Sequence, residues 1–415
     1  MKLTKKSHML MSFFIKHNCL LQTKQTKKTD EIFKKLYNEI LDGVSYIEEV
    51  KTKMGDSFYK VKMDSITNIS QIPKPRTFPS NTLPSQVKKH IDEYSLGLIS
   101  YSFNLFERHI KIMFLIEDGN PEDLIKTYNK YVDYMLVWLY IVNEYSSKSC
   151  VEQLNIYIYH TSLLKLLPAT NIDILNWNNV NTAFTRTCPK DSEIVVFRKE
   201  EWFKAFMHET FHNFGLDFSD TNQTSCNQKI LSMFPVNSEV NLYESYSEFW
   251  ARIMNALFCS YINMKNKEDV DEFLTNAEFF INFERIFAFF QMIKVLNFMD
   301  MTYKDMYTKN SVSENIRNTM FKENTNVLSY YIITVILLNG YQDTIAWCNL
   351  NNSSLLQFKK TNTNMNNFCK FIEKKYKTKT MLDGVSCSEK LFEKVSKKKM
   401  AYLIKNLRMT ICELG

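Results

Sequence analysis

The residues best suited to chemistry lie in one stretch, Trp202-Phe203-Lys204-Ala205-Phe206-Met207-His208-Glu209-Thr210-Phe211-His212-Asn213-Phe214-Gly215. On a helix, residues four apart point the same way, so His208 and His212 can grip one metal ion together. Glu209 lies beside the first of them, where its carboxylate reaches a metal-held water and not the metal. Two imidazoles, an open coordination position and an adjacent base are the parts of a hydrolytic zinc site. Phe203, Met207, Phe211 and Phe214 fall at helical spacing and would bury this helix. Gly215 follows, where a left-handed C-cap commonly ends a helix. The competing reading is a core helix whose two histidines hydrogen-bond to the backbone.

Such a metal needs a third protein ligand. Three residues after Gly215, where one class of zinc peptidase places it, stands Phe218, which cannot bind metal; Asp217 is one position short. Asp217 is suited either to orienting a ligating histidine or to capping the loop after Gly215. Further on, Glu244 and Glu248 share a helical face within Leu242-Tyr243-Glu244-Ser245-Tyr246-Ser247-Glu248-Phe249-Trp250. One carboxylate can ligate while the other, a turn later, fixes the tautomer of a ligating histidine.

The pair His208-Glu209-x-x-His212 and Glu244-x-x-x-Glu248-Phe249 resembles the gluzincins, zinc peptidases with a glutamate ligand. The second helix is especially similar to that of their lethal-factor-like branch. The resemblance implies that His208, His212 and Glu244 bind Zn2+, that Glu209 is the catalytic base, and that Glu248 supports a ligating histidine. A wider resemblance runs through Glu193-Ile194-Val195-Val196-Phe197-Arg198-Lys199-Glu200-Glu201-Trp202 and the His-Glu helix to uncharacterised metallopeptidases of large DNA viruses.

The elements that must position these residues are legible in outline. Tyr101, Phe103 and Leu105, then Ile110, Ile112, Phe114 and Ile116, alternate with mostly polar residues about Phe106-Glu107-Arg108, as a β-hairpin does. A helix with proline in its first turn follows over 121–143. Residues 155–160, 180–185 and 193–198 read as short strands, the last leading into the His-Glu helix. The order is hairpin, helix, three strands, metal helix, glutamate helix, and the resemblance implies a zincin-like catalytic domain in which a small mixed sheet packs on the metal helix. From that order, the last strand or residues 180–185 would form the edge beside the cleft, where an extended substrate can pair as an added strand. Beyond Glu268 the pattern is helical, with Phe279, Phe283, Ile286, Phe287, Phe290 and Ile293 in one stripe and an apolar run over Val327 to Leu338. The Asn-rich segments 349–352 and 361–367 read as loops.

The fold class expected is therefore α+β and helix-rich. Four parts follow: a basic N-terminal extension (1–67), a Pro-rich linker or strap (68–85) holding four of the eight prolines, the zincin-like domain (86–265), and an all-α subdomain (266–415) closing the cleft from below. Glycine and proline number only 8 each in 415 residues, which favours helices over tight turns.

Formal charge is +7, concentrated at the ends: Lys2, Lys5, Lys6, Lys16, Lys24, Lys27, Lys28, Lys34 and Lys35, then Lys390, Lys394, Lys397, Lys398, Lys399, Lys405 and Arg408. These ends offer weak contact to nucleic acid or an anionic surface, and more often form solvated faces. No helix-turn-helix, zinc knuckle or RNA-binding aromatic signature accompanies them. The nine cysteines (19, 150, 188, 226, 259, 348, 369, 387, 412) are scattered and odd in number, the usage of a reduced cytoplasmic protein, viral if the wider resemblance holds. No apolar run is long enough to span a bilayer.

The function expected is hydrolysis of peptide bonds in a peptide or protein substrate. Tyr243, Tyr246, Tyr303 and Tyr330 are candidates for steadying the oxyanion, with nothing in the sequence to choose among 22 tyrosines. His109 and His160 read as structural, and Arg198 and Glu201 carry no role. The alternative is a catalytically silent zincin-fold protein, structural or virion-associated.

Overall fold

The protein is described by a computed structural model over residues 1–17, 23–79, 81–397 and 400–415. Cys19, Ser80, Lys398 and Lys399 of the readings above lie outside these residues. Chain order begins with α1 (Lys5–Lys16), α2 (Lys27–Met54) and β1 (Lys60–Ser65), then α3 (Ser85–Tyr94), β2 (Gly97–Leu105), β3 (Arg108–Ile116) and α4 (Pro121–Tyr145). Next come β4 (Gln153–Tyr159), α5 (Trp177–Val180), β5 (Ala183–Thr185), β6 (Asp191–Val196), α6 (Trp202–Asn213), α7 (Thr224–Met233) and α8 (Leu242–Asn263). Helices complete the chain: α9 (Val270–Phe298), α10 (Tyr303–Tyr307), α11 (Ser311–Met320), a π-helical turn (Leu328–Ile333) running into α12 (Thr334–Asn339), α13 (Tyr341–Asn351), α14 (Asn362–Lys375), α15 (Lys379–Lys397) and α16 (Ala401–Lys405).

The fold is α+β, with one mixed six-stranded sheet in the order β1-β2-β3-β4-β6-β5. The hairpin closes through Phe106 and Glu107, both at positive φ (57° and 58°), the two-residue turn whose twist matches the flanking strands. α4 carries the chain from β3 over to β4, which pairs parallel with β3 and with β6. β5 runs antiparallel to β6 and ends the sheet.

Period-two alternation sends side chains to two different cores. Ile112 and Phe114 of β3, Ile156 and Ile158 of β4, and Ile194 and Val196 of β6 pack toward α4 and α6. Met113, Leu115, Tyr157, Tyr159 and Val195 face the other way, under α3 and the proline-rich strap. Both faces are covered, which is why these strands read as nearly continuous apolar runs.

Three expectations need correction, and for residues 68–85 one of the two readings holds. Residues 1–67 are no detached extension: Phe33, Leu36, Tyr37 and Ile40 of α2 are buried, Phe14 of α1 stacks edge-on to Phe287 and Phe290, and β1 adds to the sheet. The lysines are simply the outer faces of amphipathic helices. Residues 68–85 form a strap and not a free linker, because Glu193 accepts hydrogen bonds from Arg76 N at 2.8 Å and Thr77 N at 2.7 Å. The all-α part is no separate body, since one continuous core holds residues from Leu3 to Leu414. The Asn-rich segments are the end of α13 and the start of α14, where burial of Met365, Phe368 and Ile372 overrides weak propensity.

The cysteines also depart from the free-thiol reading. Cys150–Cys188 and Cys226–Cys369 are disulfides, while Cys259, Cys348 and Cys412 are free thiols. The partners lie 38 and 143 residues apart, so no local spacing announces them. No helix among the described residues is long and apolar enough to cross a membrane.

Candidate metal centre

α6 is buried along its whole length, and its two ends are fixed from outside the helix. At the start, Glu201 takes a left-handed conformation (φ 62°), held because its buried carboxylate accepts from Met409 N at 2.6 Å and from Thr410 N. The Lys165 ammonium lies 2.7 Å from the same carboxylate. At the far end Gly215 (φ 66°) donates to the His212 carbonyl at 3.0 Å, and Leu216 N returns to the Phe211 carbonyl at 2.8 Å. This is the expected glycine C-cap. In mid-helix, Trp138 Nε1 of α4 donates to Thr210 Oγ1 at 2.8 Å and sets the helix against its neighbour.

Packing of α8 on α6 brings both predicted carboxylates to the histidines. His208 Nε2 lies 3.0 Å from Glu244 Oε2 and 3.1 Å from His212 Nε2, and the third side, His212 Nε2 to Glu244 Oε2, is 3.3 Å. A tetrahedral cation bound at about 2.0–2.1 Å holds its ligand atoms roughly 3.3 Å apart. The triangle fits that spacing.

The partners of the other ring nitrogens decide what fills it. His208 Nδ1 lies 3.0 Å from Glu248 Oε2, and His212 Nδ1 hydrogen-bonds Asp217 Oδ2. A carboxylate only accepts, so each Nδ1 carries a proton and each neutral imidazole turns the lone pair of Nε2 inward. Three lone pairs then converge within about 3 Å, repulsive unless a proton or a metal ion sits among them. Burial opposes charge on His212, yet Asp217 and Glu244 hold its pKa well above the ordinary histidine range. Burial likewise opposes the Glu244 carboxylate, which His212 and His208 nevertheless keep well below the ordinary range. A potential that favours a proton this strongly favours a dication more. The buried His208, His212 and Glu244 group can hold a metal ion, and no other such group occurs among the described residues.

The supporting residues divide into those foreseen and those missed. Glu248 supports His208 and is itself gripped by the Lys204 ammonium at 3.0 and 2.8 Å. The sequence reading gives Lys204 no role, although a lysine four residues before His208 in an otherwise apolar helix is a legible signal. Asp217 fills both roles weighed for it. One oxygen meets His212 and accepts from Ser247 Oγ at 3.3 Å, while the other caps Ser219 N at 3.2 Å.

Among the candidate tyrosines the fold selects Tyr330, whose hydroxyl donates to Glu244 Oε2 at 2.9 Å. The Tyr243 ring stacks edge-on to His212, whereas the Tyr246 and Tyr303 hydroxyls donate to the Leu356 and Tyr376 carbonyls, away from the site. Arg198 is structural, donating to the Asn181, Leu164 and Asn178 carbonyls. His109 bonds Asn104 at the surface, and His160 is caged by aromatic rings.

His208, His212 and Glu244 open onto a cleft of about 530 Å³. Ala183, Phe184 and Thr185 of β5 form one wall, and residues 237–241 and 323–326 with Tyr330 form the other. Glu209 faces the same cleft, and no side chain among the described residues hydrogen-bonds its carboxylate. Burial pushes its pKa up, against the pull of His208 and His212. Compared with known proteins, the chain matches no family model, no curated protein and no solved structure.

Proposed function

We propose that the protein is a zinc metallopeptidase with a zincin-like catalytic arrangement of the gluzincin type. The observation that carries this reading is the convergence of His208 Nε2, His212 Nε2 and Glu244 Oε2 with both Nδ1 atoms fixed by carboxylates. Two nitrogens and one carboxylate oxygen suit zinc, and a set of three leaves a coordination position open. Zinc held there would supply the Lewis acidity that brings the pKa of water to about 7.

The chain's own residues supply the rest. Glu209, on the cleft side of the helix and without a hydrogen-bond partner for its carboxylate among the described residues, takes the proton from the attacking water and passes it to the leaving amine. Its raised pKa suits that exchange. Tyr330, hydrogen-bonded to a ligand carboxylate at the cleft wall, is placed to donate to the oxygen that gains charge in the transition state. Lys204, Glu248, Asp217 and Ser247 keep the imidazoles oriented. The open edge of β5 is where an extended peptide substrate adds to the sheet.

Elemental analysis tests this directly. Wild type and Glu209→Gln should carry about one zinc per chain, and His212→Ala and Glu244→Ala little or none. Proteolysis of a casein-type substrate should appear in wild type and fall by at least about a hundredfold in Glu209→Gln. Wild type prepared without chelators and still lacking zinc would refute the reading.

A further inference from the structure

The face of the sheet opposite the metal helix carries a feature that the metal centre does not use. Ile72, Ile91, Tyr159 and Phe184, with Phe78 and Leu83 of the strap, wall a mainly apolar cavity of about 180 Å³ whose lining also includes Lys74, Lys88 and Asp92. A cavity of roughly 150 Å³ accommodates a benzene ring, so this one has room for a single aromatic or branched aliphatic side chain. Phe184 also lines the metal cleft. So does Trp177, which packs edge-on to Phe184 with ring centroids 5.9 Å apart. The two cavities therefore adjoin at β5.

The geometry of β5 defines what can reach both. Thr185 faces the metal helix, its hydroxyl accepting from Asn213 Nδ2 at 2.8 Å. Phe184 faces the other way and packs against Phe78 with ring centroids 4.8 Å apart. One side of β5 pairs with β6 and the other is the open end of the sheet. A peptide added along that edge alternates its side chains between the two faces. Residues beside Ala183 and Thr185 enter the metal cleft, and the one beside Phe184 turns toward the apolar cavity.

The cavity wall is also fixed in advance. Arg186, just after β5, donates to the Thr77 carbonyl at 2.7 Å and lies over the Phe78 ring at 5.1 Å, so the strap is tied to the edge strand itself. Preformed walls of this kind lower the ordering cost of binding. The buried Trp177 Nε1 beside the cavity has no hydrogen-bond partner among the described residues.

We propose that the cavity under the strap is a specificity pocket for the peptide in the metal cleft. It takes one large apolar side chain, adjacent in sequence to the residues that face the metal. The inference rests on the peptidase reading and deepens it: the substrate is an extended segment with an aromatic or branched aliphatic residue at one fixed position from the scissile bond.

The test uses zinc-loaded Glu209→Gln protein and short fluorescein-labelled peptides of Ala, Ser and Lys, with one Phe scanned through every position. Fluorescence anisotropy should show one position at which Phe tightens binding about 10- to 100-fold over Ala, the effect of burying one such side chain. Leu83→Glu, which puts a charge in the cavity wall, should abolish that gain without altering zinc content. Thr82→Lys, at the cavity margin, serves the same purpose if Leu83→Glu does not fold. No favoured position, or a preference that survives in the folded variants, overturns the pocket. The underlying reading fails separately. If preferred peptides bind but zinc-loaded wild type cleaves none, the peptidase falls and the pocket stands. If wild type cleaves them without positional preference, the pocket falls and the peptidase stands.

Discussion

At the scale of single residues, burial makes each partner decisive. His208 and His212 are suited to a metal because Glu248 and Asp217 accept from their far nitrogens, not because they are histidines in a helix. His160 shows the contrast. It is also buried, but among Phe114, Tyr128, Tyr131 and Trp202, with Nδ1 on the Tyr128 hydroxyl at 3.1 Å and Nε2 unpartnered. Burial, with help from Lys199, pushes its pKa down to about 3. Unfolded, it titrates near 6.5, so below that pH the unfolded chain takes up a proton that the native chain refuses. The stability this contributes is complete above about 6.5 and is lost as pH falls toward 3, at up to about 1.4 kcal/mol per unit. Urea unfolding of wild type and His160→Phe from pH 7 to pH 4 should show wild type losing stability relative to the variant on acidification. A difference that stays constant with pH would reject this account, because the other titrating groups are common to both proteins.

At the scale of elements, helices buried on every side hold the site. All twelve residues of α6 are buried, and α8 is buried over nearly its whole length between α6 and α9. Precise placement of α8 therefore passes through α9 to α15 behind it. Gly384 of α15 sits against the Phe289 ring of α9 so closely that an added Cβ would lie 2.5 Å from it. Gly384→Ala gains up to about 1 kcal/mol of helix propensity but forces a buried ring to move, which costs about 1–3 kcal/mol. The expected net loss is about 1 kcal/mol, read as a lower urea midpoint with an unchanged slope. A raised midpoint would show that the ring yields freely.

At the scale of the whole molecule, the last residues act far from their place in the sequence. Glu284 of α9 accepts from Ile411 N at 3.0 Å and Cys412 N at 2.9 Å, while Glu201 at the head of the metal helix accepts from Met409 N and Thr410 N. Leu407, Met409, Ile411 and Leu414 are buried alongside. Deleting residues 406–415 would leave two buried carboxylates short of donors even with Lys165 and Arg252 still beside them, at about 1–3 kcal/mol each, and would strip four buried apolar side chains from the core, against a total stability of about 5–15 kcal/mol. The shortened chain should lose cooperative thermal unfolding by circular dichroism and bind no zinc. A cooperative, zinc-binding product would show the tail to be dispensable.

What the sequence by itself determined was everything set by short-range period and spacing. The hairpin about Phe106 and Glu107, the strands leading to α6, and the two helices carrying His208, Glu209, His212, Glu244 and Glu248 all follow from side chains repeating every two or 3.6 residues. Where separation in sequence is long, the tertiary structure decided. It set Glu244 in the triangle and Glu248 behind His208, and brought the Tyr330 hydroxyl to Glu244, since these placements depend on how α8 and the turn before α12 dock on α6. It joined Cys150 to Cys188 and Cys226 to Cys369, laid the strap over the second core on the far face of the sheet, and made one core of the other three expected parts. The placement of lysine-rich α2 and the folding of Asn-rich α14 depart from the sequence reading for the same reason. Outer faces set their composition, but the few apolar residues on their inner faces set their place, and only the packed structure shows what those residues meet.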